Sequence, residues 1–167
     1  MRVSFSIDLV VDDIPQESFD TVIPVDRIAV RGIPTCGYHV YAVESSLADK
    51  FCGIVERHHG RSSSRQKDLV DVVVYARSYV VDGAKLSRCL RMECYARKMP
   101  MPEHFERPAE WLETGGARFR KLCRQVPLAS DIEDTATAAT LAATLFDPAL
   151  DGSAQGKTWS PVLKSWE

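Results

Sequence analysis

Residues 41–76, YAVESSLADKFCGIVERHHGRSSSRQKDLVDVVVYA, place basic and acidic side chains close to one predicted turn. The basic side chains include Lys50, Arg61, Arg65 and Lys67, and the acidic ones include Asp68 and Asp71. Lysine and arginine side chains can meet a polyanion, and neighbouring carboxylates can hold those cations in place. The first chemistry that this segment suggests is therefore the binding of a negatively charged ligand.

Charge is unevenly distributed along the chain. Between Arg57 and Arg124, fifteen Lys and Arg residues stand against eight Asp and Glu residues, a net charge of +7, whereas the rest of the chain carries −9. A basic middle of this kind can face a polyanion. A solvated surface with chance clustering is the alternative, and charge alone does not separate the two.

A predicted helix positions the lysine. Apolar residues at helical spacing between Leu47 and Val55 predict a helix that begins near Glu44, with Lys50 at the rim of its apolar face. A lysine at the rim can bury its stem and deliver its ammonium group into an adjoining groove.

A second predicted helix positions the aspartates. Gly60 is a stop signal for the first helix, and the serines that follow can cap the next one. The apolar stripe of that next helix runs from Leu69 to Val80. Asp68 is predicted at the edge of this stripe and Asp71 nearly opposite to it.

Strand-like patterns come before these helices. Residues 2–11, RVSFSIDLVV, alternate with the period of a strand that has one buried face, and Asp8 falls on the more polar face. Residues 28–33 and 38–43 predict two further strands, separated by a turn that contains Pro and Gly. A small antiparallel-looking sheet followed by a mainly helical remainder predicts an α+β fold.

The remainder contains several helix signals. Further helices are predicted at residues 84–97, 107–113, 117–124 and 131–146. For the last of these, Ser130 with Glu133 forms a capping-box pattern, and Pro148 is predicted to follow the end of the helix. The final residues, from 151 onward, read as a terminal tail that Trp159 and Trp166 can dock.

Residues 41–76 closely resemble a segment of the AbiEii/AbiGii-type nucleotidyltransferase toxins. In that segment a helix of the form Y-x-x-E-x-x-x-A-D-K is followed by S-R-x-K-D-L-x-D, and both patterns occur in this chain. The preceding stretch, FSIDLVVDD, is similar to the strand that brings an acidic residue to the metal site of such enzymes. The resemblance extends from about Phe5 to Ala76.

The resemblance implies a toxin of a toxin–antitoxin pair with the nucleotidyltransferase fold. It divides the chain into a partial nucleotidyltransferase core at residues 1–80 and a helical region at 81–167. Such enzymes transfer a nucleoside monophosphate from an NTP to a hydroxyl group, such as that at the 3′ end of tRNA, with Mg²⁺ or Mn²⁺. The implied partners are the NTP, the RNA acceptor and an antitoxin protein.

The same resemblance implies roles for individual residues. Asp8 would be a metal ligand or would activate the attacking hydroxyl group. Asp68 and Asp71 match the acidic pair of the family, which either binds a metal or positions the cations. The implied phosphate-binding residues are Lys50, Arg61, Arg65 and Lys67, and the implied catalytic residues are Asp8, Lys50, Asp68 and Asp71.

Each of these residues also has an ordinary structural interpretation. Asp8 can be a solvent-facing strand residue, and Arg61 can belong to a soluble loop. Lys67 and Asp71 have the i, i+4 spacing of a surface ion pair, which contributes only about a few tenths of a kcal/mol. Asp68 can offset the helix dipole near a helix N-terminus.

The chain departs from the family pattern in one element. Catalytic members begin with G-S followed by D-x-D or D-x-E, and no Gly-Ser precedes Asp8 in this chain. Three explanations stay open: Met1 is internal to a longer product, a second polypeptide completes the site, or the chain is a remnant. We expect weak or no transfer by the 167-residue chain alone, and a catalytically inactive module that binds nucleotide, tRNA or antitoxin is the alternative function.

Composition argues against other classes of protein. No apolar run approaches the roughly 20 residues that span a bilayer, and the first residues lack the pattern of a secretory signal, so we expect a cytoplasmic protein that does not enter the membrane. The five cysteines include no C-x-x-C pair, and His58 and His59 have no partner at metal-ligand spacing. A DNA-binding regulator is a weaker alternative, because no pair of helices resembles a helix-turn-helix with basic recognition residues.

Overall fold

The computed structural model describes residues 19–23, 37–57, 60–114 and 116–167. The strands predicted at residues 2–11 and 28–33 lie outside the described residues, and Asp8 lies there with them. His58 and His59 also lie outside them.

The described chain contains short strands and mostly longer helices. The strands are β1 (Phe19–Val22), β2 (Tyr38–Tyr41), β3 (Val81–Asp82), β4 (Thr158–Ser160) and β5 (Ser165–Trp166). The helices are α1 (Val43–Val55), α2 (Gln66–Ser78), α3 (Gly83–Ala96), α4 (Glu110–Thr114), α5 (Gly116–Arg124) and α6 (Thr135–Leu150). The prediction of an α+β fold is confirmed.

Two small antiparallel sheets flank the helices. In the first, β1 pairs with β2, so that Phe19 lies opposite Tyr41. In the second, β4 lies between β3 and β5. Trp159 of β4 is fully buried, and its indole N–H donates a hydrogen bond of 2.8 Å to the carbonyl oxygen of Ala76. The predicted docking of the C-terminal residues by tryptophan is therefore confirmed.

The core forms where α1, α2, α3 and α6 meet. Helix α1 packs against both α2 and α3, and α2 packs against α6. Phe51 of α1 lies at the centre, with ring centroids 5.1 Å from Phe146 and 5.9 Å from Phe105. Helices on both sides of residue 80 share this core. The division into residues 1–80 and 81–167 remains a proposal.

The predicted boundaries of the last helix were wrong at both ends. The N-cap is Asp134, whose carboxylate accepts a 2.7 Å hydrogen bond from the N–H of Thr137. Ser130 instead donates to the carbonyl oxygen of Pro127 in a 3₁₀ turn, so it is not free to cap the helix. The helix also continues past Pro148 to Leu150. A proline near a helix end removes one hydrogen bond, and burial of the last turn keeps that turn helical.

The prediction of which side of α2 faces its neighbours was also partly wrong. Val80 is exposed, because the helix ends at Ser78 and Tyr79 adopts an extended conformation. Asp71 was predicted nearly opposite the apolar stripe, but its carboxylate contacts Lys50 of α1. The physical reason is that α1, α5 and α6 pack around α2, which buries more than one narrow stripe of that helix.

Candidate functional site

Lys50 of α1 is directed at the acidic pair of α2. Its ammonium group donates a 2.9 Å hydrogen bond to Asp71 Oδ2 and lies 3.7 Å from Asp68 Oδ1. The side chain of Lys50 is only 19% exposed. Burial lowers the pKa of Lys50, but the hydrogen bond and charge of Asp71 and the charge of Asp68 outweigh it, so the pKa lies above its ordinary value. Lys50 is therefore a charged group held in one place.

A second lysine shares the same carboxylate. Lys67 Nζ lies 3.1 Å from Asp71 Oδ1 and 3.0 Å from Asp71 Oδ2, one helical turn away on α2. The i, i+4 ion pair that the sequence suggested is thus formed. Lys67 differs from Lys50 in that its side chain is 72% exposed, so solvent weakens its attraction to Asp71. Lys67 can leave this partner at low cost.

Arg65 pairs with the other aspartate. Arg65 Nε lies 2.6 Å from Asp68 Oδ2, in an ion pair that lacks the alignment of a hydrogen bond. Asp68 is buried, whereas the Arg65 side chain is half exposed. Burial raises the pKa of Asp68, although the charges of Lys50 and Arg65 act to lower it. We call these five residues, Lys50, Arg65, Lys67, Asp68 and Asp71, the Lys50 cluster.

A glycine allows the two helices to approach each other at this cluster. A Cβ atom at Gly53 would lie 2.9 Å from Asp68 Oδ2 and 3.1 Å from Arg65 Nη1. Glycine inside a helix costs about 1 kcal/mol relative to alanine. Its occurrence in a helical pattern is therefore a signal of close approach, and this was a signal that the sequence interpretation did not use.

The loop between α1 and α2 is fixed by Ser63. Its hydroxyl group donates to the carbonyl oxygen of Gly53 at 2.6 Å and accepts from the backbone N–H of Arg65 at 3.1 Å. The indole N–H of Trp111 donates to the carbonyl oxygen of Ser63 at 2.7 Å. The predicted serine cap of α2 is absent, because Arg65 occupies the N-cap position. Ser63 instead positions Arg65 through the loop.

The remaining predicted site residues lie elsewhere. Arg61 is exposed in the same loop and does not join the contacts of the Lys50 cluster. Asp8 lies outside the described residues. The structure therefore brings together five of the seven residues that the sequence singled out, and it leaves their functional roles as proposals.

The described residues do not by themselves fit a divalent metal ion. Within the ranges given above, no group of three or more His, Cys, Asp and Glu side chains could hold one. Asp68 and Asp71 already contact cations at 2.6 Å and 2.9 Å. In the described part of the chain, both carboxylates of the acidic pair are therefore engaged in ion pairs.

No helix among the described residues is long and apolar enough to cross a membrane.

Comparison with known proteins adds one result. A family model described as "Nucleotidyl transferase AbiEii toxin, Type IV TA system" matches residues 1–150. No curated protein and no solved structure shows significant similarity to the chain. The family match covers both the Lys50 cluster and most of the helical region.

Proposed function

Because the chain belongs to the AbiEii nucleotidyl transferase toxins of type IV toxin–antitoxin systems, we propose that it transfers a nucleoside monophosphate from an NTP to an RNA hydroxyl group. The acceptor that we propose is the 3′ end of tRNA, and the protein partner is a cognate antitoxin in the cytoplasm. The observation that supports this proposal is the Lys50 cluster, in which three cations face only two carboxylates.

The excess positive charge suits a triphosphate. The exposed pair between Lys67 and Asp71 contributes about 0–1 kcal/mol, so a phosphate can compete for the Lys67 ammonium group. Arg65 is half exposed and can turn its guanidinium group toward a second phosphate oxygen. Lys50 stays close to Asp71 and supplies a fixed positive charge. Fixed cations of this kind stabilise the charge that develops on the leaving pyrophosphate.

Asp68 and Asp71 act in this proposal as positioning residues. Each holds at least one cation within 3 Å, which keeps the ammonium and guanidinium groups on one side of the α1–α2 pair. Preorganised charges act on a transition state without the cost of reorganising during the reaction.

The proposed reaction also includes Mg²⁺ or Mn²⁺, which would neutralise and orient the phosphates. Asp8 is the ligand that we propose from the sequence. Because the described residues do not form a metal site, no step through the metal is assigned to them.

Label transfer tests the proposed function. The purified chain is incubated with each α-labelled NTP, Mg²⁺ and total tRNA, and the RNA is then examined for label. Because weak transfer is expected of the chain alone, labelling is followed over long incubations. Wild type and Lys157→Ala, which changes an exposed lysine outside the cluster, should then label the RNA slowly and to the same extent. Lys50→Ala should label it at least about a hundredfold more slowly, as expected for loss of a preorganised charge. Equal labelling by Lys50→Ala and wild type would contradict the assigned role of Lys50.

A catalytically inactive binding module is the second candidate. The observation that favours it is the lack of a carboxylate metal cluster among the described residues. Such a module would bind NTP or tRNA in a salt-sensitive way without labelling, and Asp8→Ala would leave its affinity unchanged or higher. Mg²⁺-dependent transfer that is lost in Asp8→Ala would rule this candidate out.

A further inference from the structure

A pair of tyrosines continues the Lys50 cluster along α2. Tyr75 follows Asp71 by four residues, and Tyr79 follows Tyr75 by four. Residues at this spacing project from the same side of a helix. The two rings touch, with centroids 5.3 Å apart and planes inclined by 42°. An aromatic surface therefore begins one helical turn beyond the carboxylate that holds Lys50 and Lys67.

The two tyrosines differ in exposure in a way that suits a binding surface. Tyr75 packs partly against the core, which fixes its ring. Tyr79 caps the C-terminal end of α2 and is 46% exposed, so part of its ring is available to a ligand. The aromatic pair thus lies on the same helix as Lys67, Asp68 and Asp71, one to two turns nearer its C-terminal end.

The spacing matches the chemistry of a nucleotide. At about 1.5 Å of rise per residue, Tyr75 lies roughly 6 Å beyond Asp71 along the helix axis. In a nucleotide, a ribose separates the charged phosphates from a flat aromatic base. Phosphates held by the cations would leave that base near the tyrosines, and bases stack on aromatic side chains.

We propose that Tyr75 and Tyr79 form a stacking surface for a nucleobase whose phosphates are bound by the Lys50 cluster. This inference rests on the proposed function, because it assumes that the cluster binds nucleotide phosphates. The base belongs either to the NTP or to the RNA acceptor, since both present the same chemistry. Tyr75 and Tyr79 act as binding residues, with no part in proton or phosphoryl transfer.

Equilibrium binding to matched ligands tests the stacking surface. The full chain is titrated with each NTP and with inorganic tripolyphosphate, which carries the charge but has no base. Wild type should bind at least one NTP more tightly than tripolyphosphate. Tyr79→Leu should lower the affinity for that NTP about tenfold, a loss within the range for one stacked base. The affinity for tripolyphosphate should stay unchanged.

Two further variants separate stacking from a structural role. Tyr95→Leu changes an 86% exposed tyrosine on α3 and should bind every ligand as wild type does. Tyr75→Phe keeps the ring and should preserve NTP affinity. Equal loss of NTP and tripolyphosphate affinity in Tyr79→Leu would overturn the proposal, because it would show a structural defect.

A second pair of ligands identifies the source of the base. A short single-stranded oligoribonucleotide is compared with an abasic strand of the same length in wild type and Tyr79→Leu. A loss confined to the NTP assigns the base to the NTP, and a loss confined to the base-containing strand assigns it to the acceptor. If Tyr79→Leu binds every ligand as wild type does, or if no ligand with a base binds better than its counterpart without one, the stacking surface does not exist.

The binding experiment and the labelling experiment can contradict the stacking surface and the transferase separately. Label transfer that depends on Lys50, together with NTP and RNA affinities unaffected by Tyr79→Leu, would overturn only the stacking surface. Base-dependent binding without label transfer would support the stacking surface and count against the transferase.

Discussion

Two groups of charged residues connect α1 to its neighbours, and they differ in which charge is in excess. On the side of α2, the Lys50 cluster contains three cations and two carboxylates. On the side of α3, Arg97 contacts three carboxylates, those of Asp49, Glu56 and Glu93, and we call these four residues the Arg97 cluster. Arg97 is 21% exposed, and each of its three nitrogens donates to a different carboxylate.

The difference shows which group can accept an anionic ligand. Each nitrogen of the Arg97 guanidinium group already donates to a carboxylate, so this cation is engaged within the fold. The pKa of Arg97 is raised: burial lowers it, but the hydrogen bond and charge of Glu93 and the hydrogen bond from Arg97 to Glu56 more than compensate. The Lys50 cluster instead keeps exposed cations and a positive surplus. The Arg97 cluster thus links α1 to α3, whereas the Lys50 cluster presents cations to solvent.

The largest expected effect comes from removing Arg97. Arg97→Met removes the cation that bridges the buried Glu93 and the half-buried Glu56, and loss of one partner from such a group is strongly destabilising. The free energy of unfolding should fall by about 2 to 3 kcal/mol in urea denaturation. NTP affinity, measured where the variant is fully folded, should stay that of wild type. A loss of affinity with stability intact would remove the distinction between the two clusters.

The next effect tests the close approach at Gly53. Gly53→Ala places a methyl group within about 3 Å of Asp68 and Arg65, so their ion pair must move. Transfer or NTP affinity should fall about tenfold, as expected when charges that are positioned for a ligand are displaced. The unfolding free energy should change by no more than about 1 kcal/mol, because alanine also favours the helix.

Gly116→Ala is the matched control for Gly53→Ala. No atom lies within 4 Å of a Cβ atom at Gly116, which also lies in a helix. This variant should keep wild-type NTP affinity. If Gly53→Ala behaves in the same way, the Arg65–Asp68 pair does not contribute to binding.

A smaller effect distinguishes the exposed lysine from the buried one. Lys67→Met removes a cation that is 72% exposed and should change the unfolding free energy by less than about 0.5 kcal/mol. NTP affinity should fall about three- to fivefold, and its dependence on salt concentration should become weaker. A large loss of stability with unchanged NTP affinity would mean that Lys67 serves the fold and not the ligand.

The smallest effect is a pH dependence. The pKa of Lys50 is raised in the folded protein, so its contribution to stability is present below its ordinary value of 10.5 and is lost as pH rises through the folded value. In urea denaturation, the stability difference between wild type and Lys50→Met should be constant from pH 7 to about 10 and shrink above that range. A difference that already shrinks below about pH 9 would show that Lys50 is not stabilised by its carboxylates.

Local patterns were sufficient for much of the fold. Helices α1, α2, α3 and α5 form close to where apolar spacing predicted them, and β2 begins at Tyr38 as predicted. The errors occurred where two local signals competed. Ser130 and Asp134 both precede α6, and only the 3₁₀ turn at Pro127–Ala129 decides that Asp134 is the cap. Pro148 was predicted to follow the end of the helix, because the spacing of apolar residues does not show that the last turn is buried.

The sequence by itself determined which residues share a side of one helix. Lys67 and Asp71 pair at i, i+4, as their helical spacing predicts. The family resemblance of residues 41–76 also followed from the sequence, and the family match confirms it.

Only the tertiary structure decided which sides of different helices meet. Lys50 and Asp71 are 21 residues apart, and their contact depends on how α1 crosses α2 and on the absence of a side chain at Gly53. The same packing brought Asp49 and Glu56 to Arg97. Periodicity records position around a single helix axis, whereas the packing of several helices sets the angle and distance between axes.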